Sequence, residues 1–126
     1  MSQPAKILVV EDNDFVRMQI VKFLEAENYV VIECTNGLQA LENMSNDIAI
    51  VIVDIRMEPL DGFEFIRSIR GQDIDTPVIL VTGDQNPDLL NEANKWSVAA
   101  VLMKPVQRDR LIKMVSRTLE AKKRVS

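Results

Sequence analysis

Acidic, hydroxyl and amine side chains follow four apolar segments of this sequence, at the points where those segments end. They are Glu11 and Asp12 after 7–10, Asp54 after 48–53, Thr82 after 78–81, and Lys104 after 99–103. Clustered carboxylates raise one another's pKa, and a hard divalent cation such as Mg²⁺ makes such a cluster tolerable. A carboxylate can also accept a phosphoryl group, whose oxygens a cation, an ammonium and a hydroxyl then neutralise. These residue types indicate metal-assisted phosphoryl transfer, provided that the fold brings them together.

The elements that would position these side chains can be predicted from apolar patterns. The four apolar runs are continuous, which is typical of strands buried on both faces of a parallel sheet. A weaker run at 29–33 suggests an edge strand. Stripes at helical spacing lie between the runs: Phe15, Met18, Ile20, Val21 and Leu24; Leu38, Leu41 and Met44; Phe63, Ile66 and Ile69; Leu89, Leu90 and Ala93; and Leu111, Ile112, Val115 and Leu119.

Strand and helix therefore alternate five times, which predicts an α/β fold. We expect a three-layer, doubly wound (flavodoxin-like) sheet of five parallel strands in the order 2-1-3-4-5, with five helices. In such sheets ligands bind beyond the carboxyl ends of the strands, where the strand order reverses. The candidate residues would then share one rim. Each of them alone could be a helix cap, a turn or a strand exit, but their joint placement favours a site.

Length and composition limit the number of domains and the kinds of site that this chain can contain. The 126 residues suggest one domain over 1–126, with its core at about 6–120. The net charge of −4 gives no electrostatic reason to expect direct nucleic-acid binding. The sequence has no histidine, which excludes a His-based triad, and its single cysteine excludes an internal disulfide. No apolar run approaches bilayer length, so we expect no membrane insertion and a cytoplasmic location.

Five segments together resemble the receiver domain of two-component response regulators, here of the single-domain chemotaxis-regulator type. The resemblance covers about residues 6–119, and its combination of motifs is highly specific. The matching segments are Val9-Val10-Glu11-Asp12-Asn13, Val53-Asp54-Ile55-Arg56-Met57, Asp61-Gly62, Val81-Thr82-Gly83 and Met103-Lys104-Pro105.

The resemblance implies a role for each matching position. Asp54 would be the phosphoacceptor, and it would share Mg²⁺, with Mn²⁺ as an alternative, with three further positions: Glu11, Asp12 and the Arg56 backbone carbonyl. The Thr82 hydroxyl and the Lys104 ammonium would contact the phosphoryl group, and the Lys104–Pro105 peptide would be cis.

The implied partners are proteins. A sensor histidine kinase or a histidine phosphotransfer protein would donate the phosphoryl group in a phosphorelay. A downstream effector protein or output domain would read the switched surface, and a phosphorylation-dependent dimer could also form. The chain would catalyse only its own phosphorylation and dephosphorylation, so it would not be a multiple-turnover enzyme.

The sequence departs from the family pattern at three places. Glu58 stands where proline is usual, with Pro59 one residue later, which indicates a reshaped loop. Val101 replaces the usual tyrosine or phenylalanine, and Ser97 replaces the usual glycine before the last strand. These changes leave the phosphorylation motif intact and instead concern the route by which a signal would reach the surface formed by helix 4, strand 5 and helix 5.

Three other interpretations remain open at this stage. A haloacid-dehalogenase-type phosphohydrolase also uses a strand-end Asp, but it requires a second Asp at the position of Arg56. A flavodoxin-like cofactor binder requires a loop that accepts phosphate, whereas residues 11–14 are acidic or amide side chains. A degenerate receiver would only bind partners.

Arg56 and Asp84 each lie two residues beyond a candidate catalytic position. We expect them to face each other across the phosphoryl site, where the pair could screen attacking water and tune the lifetime of the phosphorylated state. Two solvated loop charges are an equally simple explanation, because exposed ion pairs contribute little.

Overall fold

The computed structural model describes residues 3–84 and 86–125, with the backbone alone for 123–125. Strands and helices alternate throughout these residues, as the apolar patterns predict. The strands are Lys6–Val10 (β1), Val30–Cys34 (β2), Ile48–Asp54 (β3), Val78–Thr82 (β4) and Ala100–Met103 (β5). The helices are Asp14–Ala26 (α1), Gly37–Asn43 (α2), Gly62–Gly71 (α3), Pro87–Lys95 (α4) and Arg108–Val125 (α5).

All neighbouring strands pair in parallel, in the order β2-β1-β3-β4-β5. This arrangement confirms the predicted fold class and places β2 at one edge of the sheet. The order reverses between β1 and β3, so the loops that leave these two strands lie on either side of a crevice. Among the described residues, we find no helix both long and apolar enough to cross a membrane.

Two apolar cores cover the faces of the sheet because successive strand side chains point to opposite sides. Leu8 and Val10 of β1 belong to the core under α2, α3 and α4. Ile7 and Val9 belong to the core under α1 and α5. Each fully buried Ile, Leu or Val contributes about 1.5–3 kcal/mol relative to its exposed state. The sheet is thus a rigid base for the residues at its rim.

The predicted stripe on α1 is wrong at its N-terminal end. Phe15 is 63% exposed and Met18 is 58% exposed, whereas Ile20, Val21 and Leu24 are buried. Residues four apart lie on one helical face, so the buried face continues through Val16, which packs against the same core.

The apolar spacing wrongly places one leucine on the buried face of α2 and one on the buried face of α4. Leu38 is 47% exposed and Leu90 is 52% exposed. Both helices cover only part of the sheet with one narrow face, and Ala40 and Ala93 make the buried contacts there.

Candidate functional site

Four strands deliver the candidate side chains to one rim. Asp54 and Thr82 are the last residues of β3 and β4, while Glu11 and Lys104 directly follow β1 and β5. Hydrogen bonds fix these ends to their neighbours, because the Glu11 N–H donates to Cys34 O and the Lys104 N–H donates to Thr82 O. The rim that the sequence predicts is therefore formed by strand pairing.

Three carboxyl groups converge at the crevice beside β1 and β3. One oxygen from each of Glu11, Asp12 and Asp54 lies within 4.8 Å of the others. Glu11 and Asp54 are buried, whereas Asp12 is exposed. Close like charges in a buried setting are costly unless cations compensate for them.

Lys104 supplies one positive charge to this cluster. Its Nζ lies 3.0 Å from Asp54 Oδ2 and 3.1 Å from Glu11 Oε1. Partial burial lowers the pKa of Lys104, but the contacts with Asp54 and Glu11 outweigh that effect and raise the pKa above its usual value. Lys104 therefore remains an ammonium at neutral pH, and it points at the carboxylate that would receive the phosphoryl group.

The charged form of Glu11 is poorly stabilised in this arrangement. Burial, and then the neighbouring Asp54 carboxyl, raise its pKa to about 7, although the Asn13 N–H and Lys104 lower it. Oε1 is fully buried and, despite its short distance to Lys104, makes no hydrogen bond of good geometry. One ammonium does not neutralise three carboxyl groups, so the cluster has a deficit of positive charge.

This donor set fits a hard divalent cation. Mg²⁺ prefers oxygen ligands, retains several waters and takes one or two protein carboxylates together with phosphate oxygens. The Glu11 Oε1 without a hydrogen bond, the adjacent Asp54 and the solvent-accessible Asp12 supply oxygens of the right kind. Mn²⁺ also accepts carboxylate and water ligands.

An open pocket of about 450 Å³ adjoins the carboxylates and is lined by Asp54, Arg56, Thr82, Gly83, Asp84 and Lys104. The Thr82 hydroxyl oxygen accepts a hydrogen bond from the Asp84 N–H at 3.0 Å. Arg56 Nη2 donates to Asp84 Oδ2 at 2.7 Å, so two of the residues that line the pocket pair with each other. The Arg56 side chain is largely exposed.

Comparison with known proteins assigns the family. The family described as response regulator receiver domain matches residues 7–116. The chain belongs to this family. This membership decides against the phosphohydrolase and flavodoxin interpretations as family assignments.

Relatives of several architectures contain similar receivers. The chain is 33% identical over 115 residues to the CAI-1 autoinducer sensor kinase/phosphatase CqsS of Vibrio cholerae, covering 88% of this chain but only 17% of that protein. It is 29% identical over 116 residues to the chemotaxis protein CheY of Bacillus subtilis, covering 90% of this chain and 97% of CheY. A receiver domain structure from Clostridium thermocellum matches with a TM-score of 0.87 and 28% identity, covering 97% and 99% of the two chains.

The departures from the receiver pattern have clear structural settings. Ser97 has a φ of 57° directly after the C-cap of α4, a left-handed position that favours glycine. Val101 is partly buried and packs against the core under α4, so no aromatic ring projects there. In the reshaped loop the Glu58–Pro59 peptide is cis. The Lys104–Pro105 peptide is also cis, as the resemblance implies.

Two residues that position the site, Arg17 and Gly62, received no role from the sequence. Arg17 donates to the Glu11 carbonyl oxygen at 2.8 Å and also pairs with Asp14 and Glu33, which ties the β1–α1 loop to β2. A Cβ at Gly62 would lie only 2.6 Å from the Asp54 carbonyl oxygen, so glycine is required there. The Asp61-Gly62 motif was a visible signal for Gly62, whereas no local pattern marks Arg17.

Proposed function

We propose that this chain, as a single receiver domain over 1–126, accepts a phosphoryl group from a phosphohistidine donor onto Asp54 in a Mg²⁺-dependent step. The observation that carries the proposal is the convergence of the Glu11, Asp12 and Asp54 oxygens beside the Lys104 ammonium. An ordinary surface carboxylate has no comparable set of neighbours. The Arg56 backbone carbonyl would complete the protein ligands of the cation.

The transfer step exchanges one bond to phosphorus for another. An Asp54 carboxylate oxygen forms a bond to phosphorus while the bond to the donor imidazole nitrogen breaks, and the imidazole takes up a proton. Lys104 holds a positive charge beside the attacking carboxylate, and the Thr82 hydroxyl can turn towards the new oxygens. Bound Mg²⁺ would supply the remaining neutralisation of charge on the transferred group. Water later cleaves the acyl phosphate to inorganic phosphate and the free carboxylate.

The output of the switch would be a change in protein binding. New charge at Asp54 favours states in which Thr82 and Lys104 move towards it, and this bias can reach a surface that a partner reads. We propose a sensor histidine kinase or histidine phosphotransfer protein as donor, an effector protein or output domain as reader, and a cytoplasmic location. A dimer formed only after phosphorylation is one form that this output could take.

Metal-dependent labelling tests the proposal. With acetyl phosphate and Mg²⁺, intact-mass measurement should show one added phosphoryl group per chain, because the activated donor replaces the phosphorylated partner. An excess of EDTA should prevent labelling, and added Mg²⁺ or Mn²⁺ should restore it. No labelling from acetyl phosphate or from a phosphorylated histidine phosphotransfer protein would instead favour a receiver that only binds partners.

The Arg56–Asp84 pair predicts an effect on lifetime. In Arg56→Ala, dephosphorylation should accelerate, because the mouth of the pocket loses the side chain that obstructs attacking water. The change should be at most about fivefold, since a partly exposed pair contributes at most about 1 kcal/mol. The decay of labelled protein after removal of donor measures it. Arg67→Ala is the matched control, because Arg67 pairs with Glu92 at 3.4 Å outside the pocket; equal half-lives for all three proteins would refute the gating role.

A further inference from the structure

The N-terminus of α2 contacts the loop that follows the phosphoacceptor strand. The Gly37 N–H, at the first residue of α2, donates to the carbonyl oxygen of Leu60 in the β3–α3 connection at 3.1 Å. Asn36 caps the same helix by accepting from the Gln39 N–H, which fixes the orientation of its first turn. Gly37 is buried at this contact.

Several hydrogen bonds hold the loop at 56–61, and one of them comes from Gly37. At its start, the Arg56 N–H lies 3.3 Å from Asp54 Oδ1. At its end, the Gly62 N–H donates to the Ile55 carbonyl oxygen at 2.9 Å. Between these points the Leu60 carbonyl oxygen accepts from Gly37 of α2, and the Asp61 carbonyl oxygen accepts from the Phe65 N–H of α3. The position of α2 is therefore one constraint on the path of the loop that presents the Arg56 carbonyl, beside the burial of Met57 in the core.

Glycine is required at this contact for steric reasons. A Cβ at Gly37 would lie 2.5 Å from Leu60 O, 2.8 Å from its Cβ and 3.0 Å from its carbonyl carbon. Because two of these atoms are backbone, no side-chain rotation relieves the clash and the loop itself must shift. No described glycine has a positive φ, so alanine at Gly37 strains no dihedral angle and adds only this clash.

We propose that Gly37 is a positioning residue for the divalent cation, acting through Leu60 on the loop that presents the Arg56 carbonyl. This inference rests on the proposed function. It gives the elements on both sides of the β2–α2 connection a role in the site, because Cys34 at the end of β2 also accepts from the Glu11 N–H. Metal affinity is thereby coupled to the placement of α2.

The test compares glycine-to-alanine variants at two helix ends. In Gly37→Ala, Mg²⁺ affinity measured by titration calorimetry should fall about tenfold, as is typical when a residue behind a metal ligand changes. The labelling rate with acetyl phosphate should need correspondingly more Mg²⁺ but approach the wild-type rate at saturation. Gly71→Ala is the matched control, because a Cβ at Gly71 meets nothing within 4 Å. Its Mg²⁺ affinity should equal that of wild type.

A merely structural role would lower the free energy of unfolding of Gly37→Ala and leave the Mg²⁺ affinity of the folded protein unchanged, which would overturn the inference. If Gly37→Ala does not fold, Asn36→Ala decides, because it removes the cap that orients the first turn of α2 without adding atoms. Weaker Mg²⁺ binding by that variant supports the inference, and unchanged binding overturns it. Wild-type protein that neither binds Mg²⁺ nor accepts phosphoryl would instead refute the proposed function.

Discussion

Asp54→Asn is expected to abolish phosphoryl labelling while the protein remains folded. The amide is nearly the same size as the carboxylate but is not a nucleophile, so no acyl phosphate can form. The fold should persist, because Asp54 contributes its backbone to β3, which pairs with β1 on one side and with β4 over 51–54 on the other. Intact-mass measurement after incubation with acetyl phosphate and Mg²⁺ gives the result, with far-UV circular dichroism as the check on folding.

Asp84→Asn is the matched control for this experiment. Asp84 lines the same pocket and also carries a carboxyl group, but the proposal assigns it no bond to phosphorus. Asp84→Asn should therefore still accept one phosphoryl group, with at most a changed lifetime. Labelling of Asp54→Asn to the wild-type extent, or loss of labelling in both variants alike, would remove Asp54 from its assigned role.

Arg70→Met should produce a large loss of stability without touching the candidate site. The partly buried guanidinium of Arg70 donates to three carbonyl oxygens, those of Ile74, Thr76 and Trp96, at 2.8–3.1 Å. It thereby joins the end of α3 to the entrance of β4 and to the end of α4. Burial lowers the pKa of Arg70, yet arginine stays charged at neutral pH. Methionine keeps the apolar stem but leaves the acceptors without their donor, which should cost about 3 kcal/mol.

Urea unfolding followed by far-UV circular dichroism measures this loss. Arg67→Met, one turn earlier on α3, is the control because Arg67 is exposed and makes only a 3.4 Å ion pair with Glu92. That variant should lose at most about 0.5 kcal/mol. Equal losses for the two variants would show that the three carbonyl contacts of Arg70 do not contribute as inferred.

The interior of the sheet was predictable from sequence for a simple reason. Strands buried on both faces require unbroken apolar runs, and four such runs with a weaker fifth, alternating with helical segments, allow few parallel arrangements. The strand order and the location of the rim follow. The helix surfaces were less predictable, as Phe15 and Met18 show, because the spacing of apolar residues does not say which turn of α1 lies over the sheet.

The contacts between residues of the site that are far apart in the chain could not be predicted from the sequence. Asp54 and Lys104 are 50 residues apart, and their 3.0 Å contact depends on the register of β3, β4 and β5 together. The Arg56–Asp84 pair was anticipated only as one of two equally simple explanations, and its 2.7 Å distance depends on loop paths. The contact between Gly37 and Leu60 had no local signal.

The sequence by itself determined the order of the elements, the parallel sheet and the types of side chain that follow each strand, because these depend on local apolar patterns. Only the tertiary structure decided that Lys104 reaches both Glu11 and Asp54, that Glu11 keeps a buried oxygen without a hydrogen bond, and that Gly37 supports the neighbouring loop. These are distances between segments remote in the chain. Strand register and loop path determine these distances, and neither produces a periodic pattern in the sequence.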